Sequence, residues 1–562
     1  MIAANGPLIV QSDGTLLLEV VHDTARELRT KLATIAQLAK SPEYFHEYRI
    51  TPITLWNAAQ SGWTRDQVVD LLQENARYPV PRELIKKIDD SMAAFGRIEL
   101  VDVDGDLVLR VTEPGDGLLE ELADRMSVEA YLNDKIAAGV YRIDRAHRGI
   151  LKVAMIRIGY PIADRAGFHD GGRLDIELLP ETADGEKFAL RDYQEEAVDA
   201  FFGDQGGGGG SGVVVLPCGA GKTIVAVATI ARLKAQALVL TPNVTAVRQW
   251  KSELLRRTNL SPDDVCEYTG KEKKVGPITV ATYQIMSHRR SKTDDLTHLD
   301  LFAEHDWGLI VYDEVHLLPA PVFRFTAEIQ ARRRLGLTAT LVREDGREEE
   351  VFTLIGPRIY EQPWRDLEAD GYIAPVRCVE VRIDLPKKLR GDYDGADRRY
   401  KYRMASENPG KLHCLKSLLR RHDGDRTLII GQYLRQLRKV ALETGAPVIT
   451  GQTPQADRDR LYQDFRDGKI PVLIVSKVGN FAVDLPDATV ALQISGTFGS
   501  RQEEAQRLGR ILRPKSDGRS AFFYSLVTRD SLDQEFAGRR QRFLVEQGYQ
   551  YDVEENEAEL QL

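Results

Sequence analysis

The run Leu216-Pro217-Cys218-Gly219-Ala220-Gly221-Lys222-Thr223 follows one apolar stretch and opens another, the setting that a phosphate-binding loop needs. Glycine lets backbone N–H groups approach phosphate oxygens, and a helix N-terminus favours negative charge. Pro217, Cys218, Gly219, Ala220 and Gly221 would form the cradle, Lys222 would reach the outer phosphates, and Thr223 would offer a hydroxyl to magnesium. The strict pattern begins with glycine, where this chain has Leu216.

Further along, Leu309-Ile310-Val311-Tyr312-Asp313-Glu314-Val315-His316 reads as a buried strand ending in two carboxylates, at the edge where α/β sheets bind ligands. Asp313 is expected to hold magnesium, directly or through water, and Glu314 to polarise an attacking water. A helix-capping role would suit Asp313 taken alone, but the preceding loop argues for chemistry. His316 reads as a link from the nucleotide site to Thr338-Ala339-Thr340 at the end of a later strand, and otherwise as a structural histidine.

A third group lies in Gln506-Arg507-Leu508-Gly509-Arg510-Ile511-Leu512-Arg513, whose spacing puts Gln506, Arg510 and Arg513 on one helical face. Two arginines aimed across a cleft at a triphosphate would neutralise charge developing during phosphoryl transfer. Hydrolysis would then require two domains to close, which converts chemistry into motion.

These residues need a scaffold, and the hydrophobic pattern supplies one. Short apolar runs at 213–216, 237–240, 278–281, 309–312 and 335–339 alternate with stretches long enough for helices, the rhythm of a parallel sheet covered by helices. The rhythm restarts at 428–430 and continues through 447–450, 472–475, 490–494 and 521–527, so two similar α/β domains in tandem are expected. Before them, helical apolar spacing over residues 24–39 and 64–72 and alternation over 97–111 point to separate accessory modules. Leu55, Trp63, Val68 and Leu71 before Pro79 and Pro81 fit a small cluster of winged-helix type, and plain core packing explains them equally well. The tract Gly206–Gly210 with Ser211 and Gly212 reads as a flexible loop without chemistry. Segment 384–409, with Lys387, Lys388, Arg390, Arg398, Arg399, Lys401 and Arg403 among several acids, reads as a small helical insertion or a solvated charge run.

Bulk properties set the frame. A length of 562 residues suggests about three or four domains. With 43% hydrophobic and 29% charged residues, and no apolar run near the roughly 18 residues needed to cross a bilayer, an ordinary globular protein is expected. The N-terminus lacks a secretory pattern, which points to the cytosol, or to the nucleoid in a bacterium or archaeon. Cys218, Cys266, Cys378 and Cys414 are too scattered for a zinc pair or an iron–sulfur cluster and are expected as thiols. A net charge of -9 does not exclude nucleic acid, because a basic groove can sit on an acidic body.

With these motifs assembled, the chain closely resembles the XPB family of superfamily 2 DNA helicases, whose members commonly depart from the strict phosphate-loop pattern at its first glycine. The resemblance is carried by Asp313-Glu314-Val315-His316 and by Gly336-Leu337-Thr338-Ala339-Thr340-Leu341-Val342-Arg343-Glu344-Asp345, which joins the family's third motif to its Arg-Glu-Asp element. Ser476-Lys477-Val478-Gly479, Asp484-Leu485-Pro486, the run 504–510, Arg540-Gln541-Arg542-Phe543-Leu544 and Gln547-Gly548-Tyr549 continue it, so that it spans roughly residues 155–550. Asn480, Phe481 and Ala482 depart from a more polar stretch usual in eukaryotic members.

The resemblance implies further roles. Arg191 and Gln194, within Leu190-Arg191-Asp192-Tyr193-Gln194, would hold adenine, with Gln194 matching the base's paired donor and acceptor. Segment 384–409 would be a thumb-like insertion contacting DNA, and Arg343, Glu344 and Asp345 would act near strand separation. Thr241, Pro242, Thr282, Tyr283, Gln432, Gly451 and Ser476 would line a single-strand track, gripping phosphates through amides and hydroxyls without reading sequence. Residues 98–180, with Gly159-Tyr160-Pro161 and Leu174-Asp175-Ile176, would occupy the position of a damage-recognition domain.

The expected fold is therefore α/β: two tandem RecA-like parallel-sheet helicase domains with N-terminal α+β accessory domains and a small helical thumb-like insertion. Domains are expected at 1–95 (accessory), 96–185 (damage-recognition-like), 186–370 (ATP-binding) and 371–562 (second helicase domain, with the insertion at 384–409). The expected function is ATP- and magnesium-dependent 3′–5′ translocation and unwinding of single-stranded or forked duplex DNA, in repair or transcription, with a nuclease or a transcription or repair protein as partner. Two alternatives stand beside it: an RNA-acting DEAH-type helicase, and an ATP-gated factor that binds duplex DNA without processive unwinding.

Overall fold

A computed structural model describes residues 6–556 apart from 41–43, 61, 114, 116, 124–125, 133, 145–146, 167–169, 204–209, 218, 287–304, 319–332, 340–354, 357, 477–487, 497–519, 547–548 and 550. Four sheets organise the described residues, and the chain parts into two compact units, one of Met1–Leu216 with Gly221–Glu361 and one of Gln362–Leu562 with Pro217–Ala220.

The first sheet is antiparallel, with strands Leu8–Val10 (β1), Thr15–Glu19 (β2), Gln37–Lys40 (β3) and Phe45–Arg49 (β4) in the order β1-β2-β4-β3. The helical spacing expected to run through residue 39 stops earlier. The helix ends at Ile35, Ala36 is extended, and Leu38 pairs with Tyr48 across β3 and β4. Here pairing with the strand that follows overrides helical periodicity. Helices Pro52–Gln60, Arg65–Asn75 and Arg82–Ala94 follow, the second started by a capping box in which Thr64 and Gln67 exchange hydrogen bonds. Leu55, Val68 and Leu71 are buried in one core with the sheet, and Trp63 packs against it.

A second sheet uses Ile98–Val103 (β5), Asp106–Val111 (β6), Lys135–Ala137 (β7), Val140–Ile143 (β8) and Ile162–Asp164 (β9) in the order β7-β8-β6-β5-β9. The alternation at 97–111 is a hairpin turning at Asp104-Gly105, both with positive φ. The domain expected to reach residue 185 closes its sheet at Asp164. Beyond it the chain is stitched to the next domain: Gly172 donates to the carbonyl of Asp306, Leu174 to Lys234, Leu179 to Arg257 and Ala183 to Arg256. These backbone bonds give 172–183 to the first parallel-sheet domain, which corrects the expected boundary.

That domain contains Ser211–Val215 (β10), Ala237–Thr241 (β11), Val265–Tyr268 (β12), Ile278–Thr282 (β13), Leu309–Asp313 (β14), Arg333–Thr338 (β15) and Arg358–Glu361 (β16), all parallel, in the order β12-β13-β11-β14-β15-β10-β16. Val213, Val214, Leu238, Val239, Leu240, Ile310 and Val311 are fully buried, as a sheet covered on both faces requires. Each such side chain stabilises the fold by about 1.5–3 kcal/mol.

The second unit repeats the plan with Val376–Ile383 (β17), Thr427–Gly431 (β18), Val448–Ile449 (β19), Val472–Ser476 (β20), Val490–Gln493 (β21), Ala521–Thr528 (β22) and Tyr551–Asn556 (β23), again parallel, in the order β19-β20-β18-β21-β22-β17-β23. It begins before the expected residue 371, because Trp364, on the helix Trp364–Ala369, meets the Tyr549 ring edge-on at 5.7 Å. Segment 384–409 holds two helices, Lys387–Gly395 and Arg398–Ser406. Tyr402 anchors the second, donating from its buried hydroxyl to the Gly496 carbonyl at 2.6 Å. Beside it Lys411 and Asp533 form a fully buried ion pair at 2.6 Å, with Lys411 also donating to the Ile494 carbonyl. Cys266, Cys378 and Cys414 are buried and form no disulfide, and no described helix is long and apolar enough to cross a membrane.

Candidate nucleotide site

Three motifs converge because β15 lies between β14 and β10. The phosphate-loop segment follows β10, the paired carboxylates end β14, and Thr338 ends β15, so all three leave adjacent strands at their C-terminal ends. Leu216, standing where the strict pattern has glycine, is fully buried and extends the ladder by donating to the Thr338 carbonyl at 3.0 Å. An apolar core position, rather than phosphate approach, decides that residue.

Gly219 and Gly221 adopt φ of +85° and +81°, a region that side chains rarely tolerate. At Gly221 a Cβ would also sit 2.5 Å from Nε2 of Gln194. Lys222 then starts the helix Lys222–Leu233, whose residues 225–231 are buried, so its N-terminus is held rigidly at the strand end. Thr223, the next residue, lies in its first turn, partly exposed. Gln194 is itself buried: its amide oxygen accepts from the backbone N–H of Arg191 at 3.0 Å, and the guanidinium of Arg191 donates to Tyr193 Oη at 3.2 Å.

The Lys222 ammonium lies 3.7 Å from Oε1 of Glu314, with the two side chains only 11% and 18% exposed. Glu314 has φ 49° and ψ 56°, a left-handed conformation that costs a non-glycine residue about 1–3 kcal/mol. Burial opposes charge on its carboxyl, yet Lys222, His316 and the Ala339 N–H outweigh it and hold the group below its ordinary value, keeping it an anion able to accept a proton. Asp313 behaves oppositely, since burial first and the Glu314 charge second push it up to about 6. The pair is thus split into a ready base and a carboxylate that gains from a cation.

His316 is buried, and its Nδ1 lies 2.8 Å from the Thr338 hydroxyl and 3.4 Å from Oε2 of Glu314. One imidazole therefore spans β14 and β15. Trp250 and Tyr283 also touch the carboxylate strand. The indole Nε1 of Trp250 donates to Oδ2 of Asp313 at 2.9 Å, and Tyr283 Oη donates to the Asp313 carbonyl at 2.8 Å. Sequence reading missed Trp250, because a lone tryptophan in the amphipathic helix Val244–Arg257 looks like core.

The residues expected to line a single strand also share strand ends. Thr241 and Thr282 end the paired strands β11 and β13, of which β11 borders β14, with Pro242 and Tyr283 one residue further. Their side chains correct the expectation of a hydroxyl grip. Thr241 is fully buried, its hydroxyl near the carbonyls of Asn243 and Ala281; Thr282 Oγ1 accepts from Ile285 N–H; and Tyr283 faces Asp313, where burial raises its pKa far above the usual value. In the second unit Gly451, Ser476 and Gln432 lie at the ends of adjacent β19, β20 and β18. Gly451 is exposed and Ser476 is buried, while the Gln432 N–H donates to Ser495 Oγ at 2.8 Å. Cys218, Thr340, Arg343, Glu344, Asp345, Gln506, Arg510 and Arg513 lie outside the described residues. Of the run 540–544, Arg540 and Gln541 are core: the Arg540 guanidinium fills the space beside Gly496, and Gln541 donates to Glu380 at 2.7 Å.

Two parallel-sheet domains in tandem, the first carrying a phosphate loop and paired carboxylates on the same edge of its sheet with one strand between them, define the class of ATP-dependent helicases of superfamily 2. A family model described as "ERCC3/RAD25/XPB C-terminal helicase" matches residues 367–561, one described as "Type III restriction enzyme, res subunit" matches 187–343, and one described as "Helicase conserved C-terminal domain" matches 8–137. The chain is 51% identical to the "DNA 3'-5' helicase XPB" of Kineococcus radiotolerans, over 98% of this chain and 96% of that one. It is 34% identical to the "General transcription and DNA repair factor IIH helicase/translocase subunit XPB" of Antonospora locustae, over 97% of this chain and 81% of that one. The chain belongs to the XPB family. Among solved structures, a DNA-bound ATP-dependent type ISP restriction-modification enzyme, LlaBIII, shares the fold at a TM-score of 0.50 and 14% identity, covering 66% of this chain and 31% of that one.

Proposed function

We propose that this chain is an ATP-dependent DNA helicase and translocase that moves 3′ to 5′ along single-stranded DNA and opens forked duplexes. One observation carries the reading: Lys222 and Glu314, 3.7 Å apart beyond the ends of β10 and β14, pair a phosphate-binding cation with an anionic base, in a chain 51% identical to a curated DNA 3'-5' helicase. Backbone amides after β10 and the Lys222 ammonium take the outer phosphates, and Glu314 orients the attacking water. Thr223 and Asp313 are the oxygen donors suited to magnesium, a hard cation that would offset phosphate charge. Gln194 and Arg191 hold adenine, and His316 with Thr338 relays the state of the site. Arg510, Arg513 and Gln506 complete the triphosphate contacts on closure. Thr241, Pro242, Thr282 and Tyr283 with Gln432, Gly451 and Ser476 form the strand track, mainly through backbone, and Arg343, Glu344, Asp345 and segment 384–409 act at the fork. Work in repair or transcription beside a partner protein, in the cytoplasm or nucleoid, follows from the same reading, as do domains near 1–95 and 96–165 serving as accessory and DNA-recognition modules.

The test is steady-state ATP hydrolysis by wild type and Glu314→Gln without nucleic acid and with single-stranded DNA, duplex DNA or RNA. Strong stimulation by single-stranded DNA, lost in the variant by about 100-fold or more, is expected. Stimulation by RNA alone would overturn the substrate, and by duplex alone would favour an ATP-gated duplex binder, which a forked substrate would confirm by showing no displacement.

A further inference from the structure

Asp313 accepts hydrogen bonds from two aromatic side chains, one in the helix after β11 and one just after β13. Trp250 sits two turns into the helix Val244–Arg257, which begins immediately after Thr241-Pro242-Asn243, and its N–H reaches the carboxylate itself at 2.9 Å. Tyr283 follows Thr282 at the end of β13, and its hydroxyl reaches the backbone carbonyl of the same aspartate at 2.8 Å. Both rings are nearly sealed from solvent, at 1% and 3% exposure. Neither bond is needed to satisfy a sheet ladder, since β14 pairs with β11 and β15 through its own backbone. Each of the two rings thus gives its single N–H or O–H donor to Asp313.

Each segment is also held locally by a side-chain hydrogen bond next to its strand end. Asn243 caps the helix by accepting from the Ala246 N–H at 2.9 Å, and Val247, Trp250 and Leu254 are its buried face, so one helix joins the cap to the indole. Thr282 likewise accepts from the Ile285 N–H, locking the turn that carries Tyr283.

We propose that Trp250 and Tyr283 are positioning residues that couple nucleic-acid binding at the 241–243 and 282–283 segments to the metal-holding geometry of Asp313. A strand that shifts either segment turns the indole or the phenol, and the hydrogen bonds pass that shift to the carboxylate or to its backbone. This inference rests on the proposed DNA-driven activity.

The experiment measures a binding linkage rather than turnover. A fluorescent, non-hydrolysable ATP analogue with magnesium is titrated into wild type, Trp250→Phe and Tyr283→Phe, with and without a saturating single-stranded oligonucleotide. In wild type, DNA should change nucleotide affinity by a factor within the roughly 5- to 150-fold range of coupled sites. Trp250→Phe keeps the ring, removes the N–H and should bring that factor toward one while nucleotide and DNA still bind singly; Tyr283→Phe removes one hydroxyl and should lower the same factor. Trp364→Phe, a buried ring in the second unit, serves as the control for simple loss of packing and should leave the factor unchanged. An unchanged factor in both test variants, or a wild type that binds both ligands independently, would overturn the proposal. A wild type that does not bind the oligonucleotide at all would sink the DNA reading itself, a failure visible before any variant is made.

Discussion

The ammonium of Lys222 faces the Glu314 carboxylate at 3.7 Å, across the gap between the ends of β10 and β14. The cation that draws phosphate in therefore also sets the charge of the base that must act beside it. Of the groups that hold the Glu314 carboxyl below its ordinary value, Lys222 contributes most.

Removing that cation should act on chemistry far more than on folding. Lys222→Ala is expected to lower ATP turnover by roughly 100- to 1000-fold, the scale of losing one strong donor to developing charge. The fold should persist, with a lower thermal midpoint, because the Glu314 carboxylate loses its main cationic partner. A phosphate-release assay beside a melting curve checks both, and unchanged turnover would refute the phosphate-loop assignment.

The raised pKa of Asp313 has a definite sign. Its folded value, about 6, exceeds the ordinary 3.8, so the folded chain binds this proton more tightly than the unfolded chain does. The stability this group contributes is full below about 3.8 and is lost as pH rises through about 6. Magnesium competes with that proton. Metal-induced gains in melting temperature should accordingly be larger at a pH well above 6 than below it, and gains independent of pH would count against Asp313 as a metal donor.

Thr338→Val keeps shape and deletes the hydroxyl that His316 meets at 2.8 Å. The stability cost should be near 1 kcal/mol, the net worth of one hydrogen bond. If the pair relays the state of the nucleotide site, the ratio of DNA-stimulated to basal hydrolysis falls several-fold more than nucleotide affinity does. Equal loss of affinity and stimulation would leave His316 a purely structural histidine.

Arg510→Ala and Arg513→Ala are expected to cut kcat by about 1000-fold, as removal of transition-state arginines does, with much smaller changes in nucleotide affinity. Comparing single-turnover rates with equilibrium binding of a labelled nucleotide separates the two, and parallel losses would argue against a transition-state role.

The sequence by itself determined the repeating parallel-sheet rhythm, the glycines and lysine after β10, and the carboxylates ending β14, because each is a local pattern that backbone geometry enforces over a few residues. Gly221 and Lys222 are legible in this way, and so are Asp313 and Glu314. Only the tertiary structure decided which strand ends stand side by side: the order β13-β11-β14-β15-β10 places Thr338 between the loop and the carboxylates, and turns Trp250 and Tyr283 onto Asp313 from 63 and 30 residues away. Tertiary contacts also ended the first helix at Ile35 in favour of a strand, buried the hydroxyls of Thr241 and Thr282, and joined 172–183 to the ATP-binding domain. For Trp250, Tyr283, Thr338 and 172–183 the physical reason is the same: a hydrogen-bond partner supplied from far along the chain lies outside any local window.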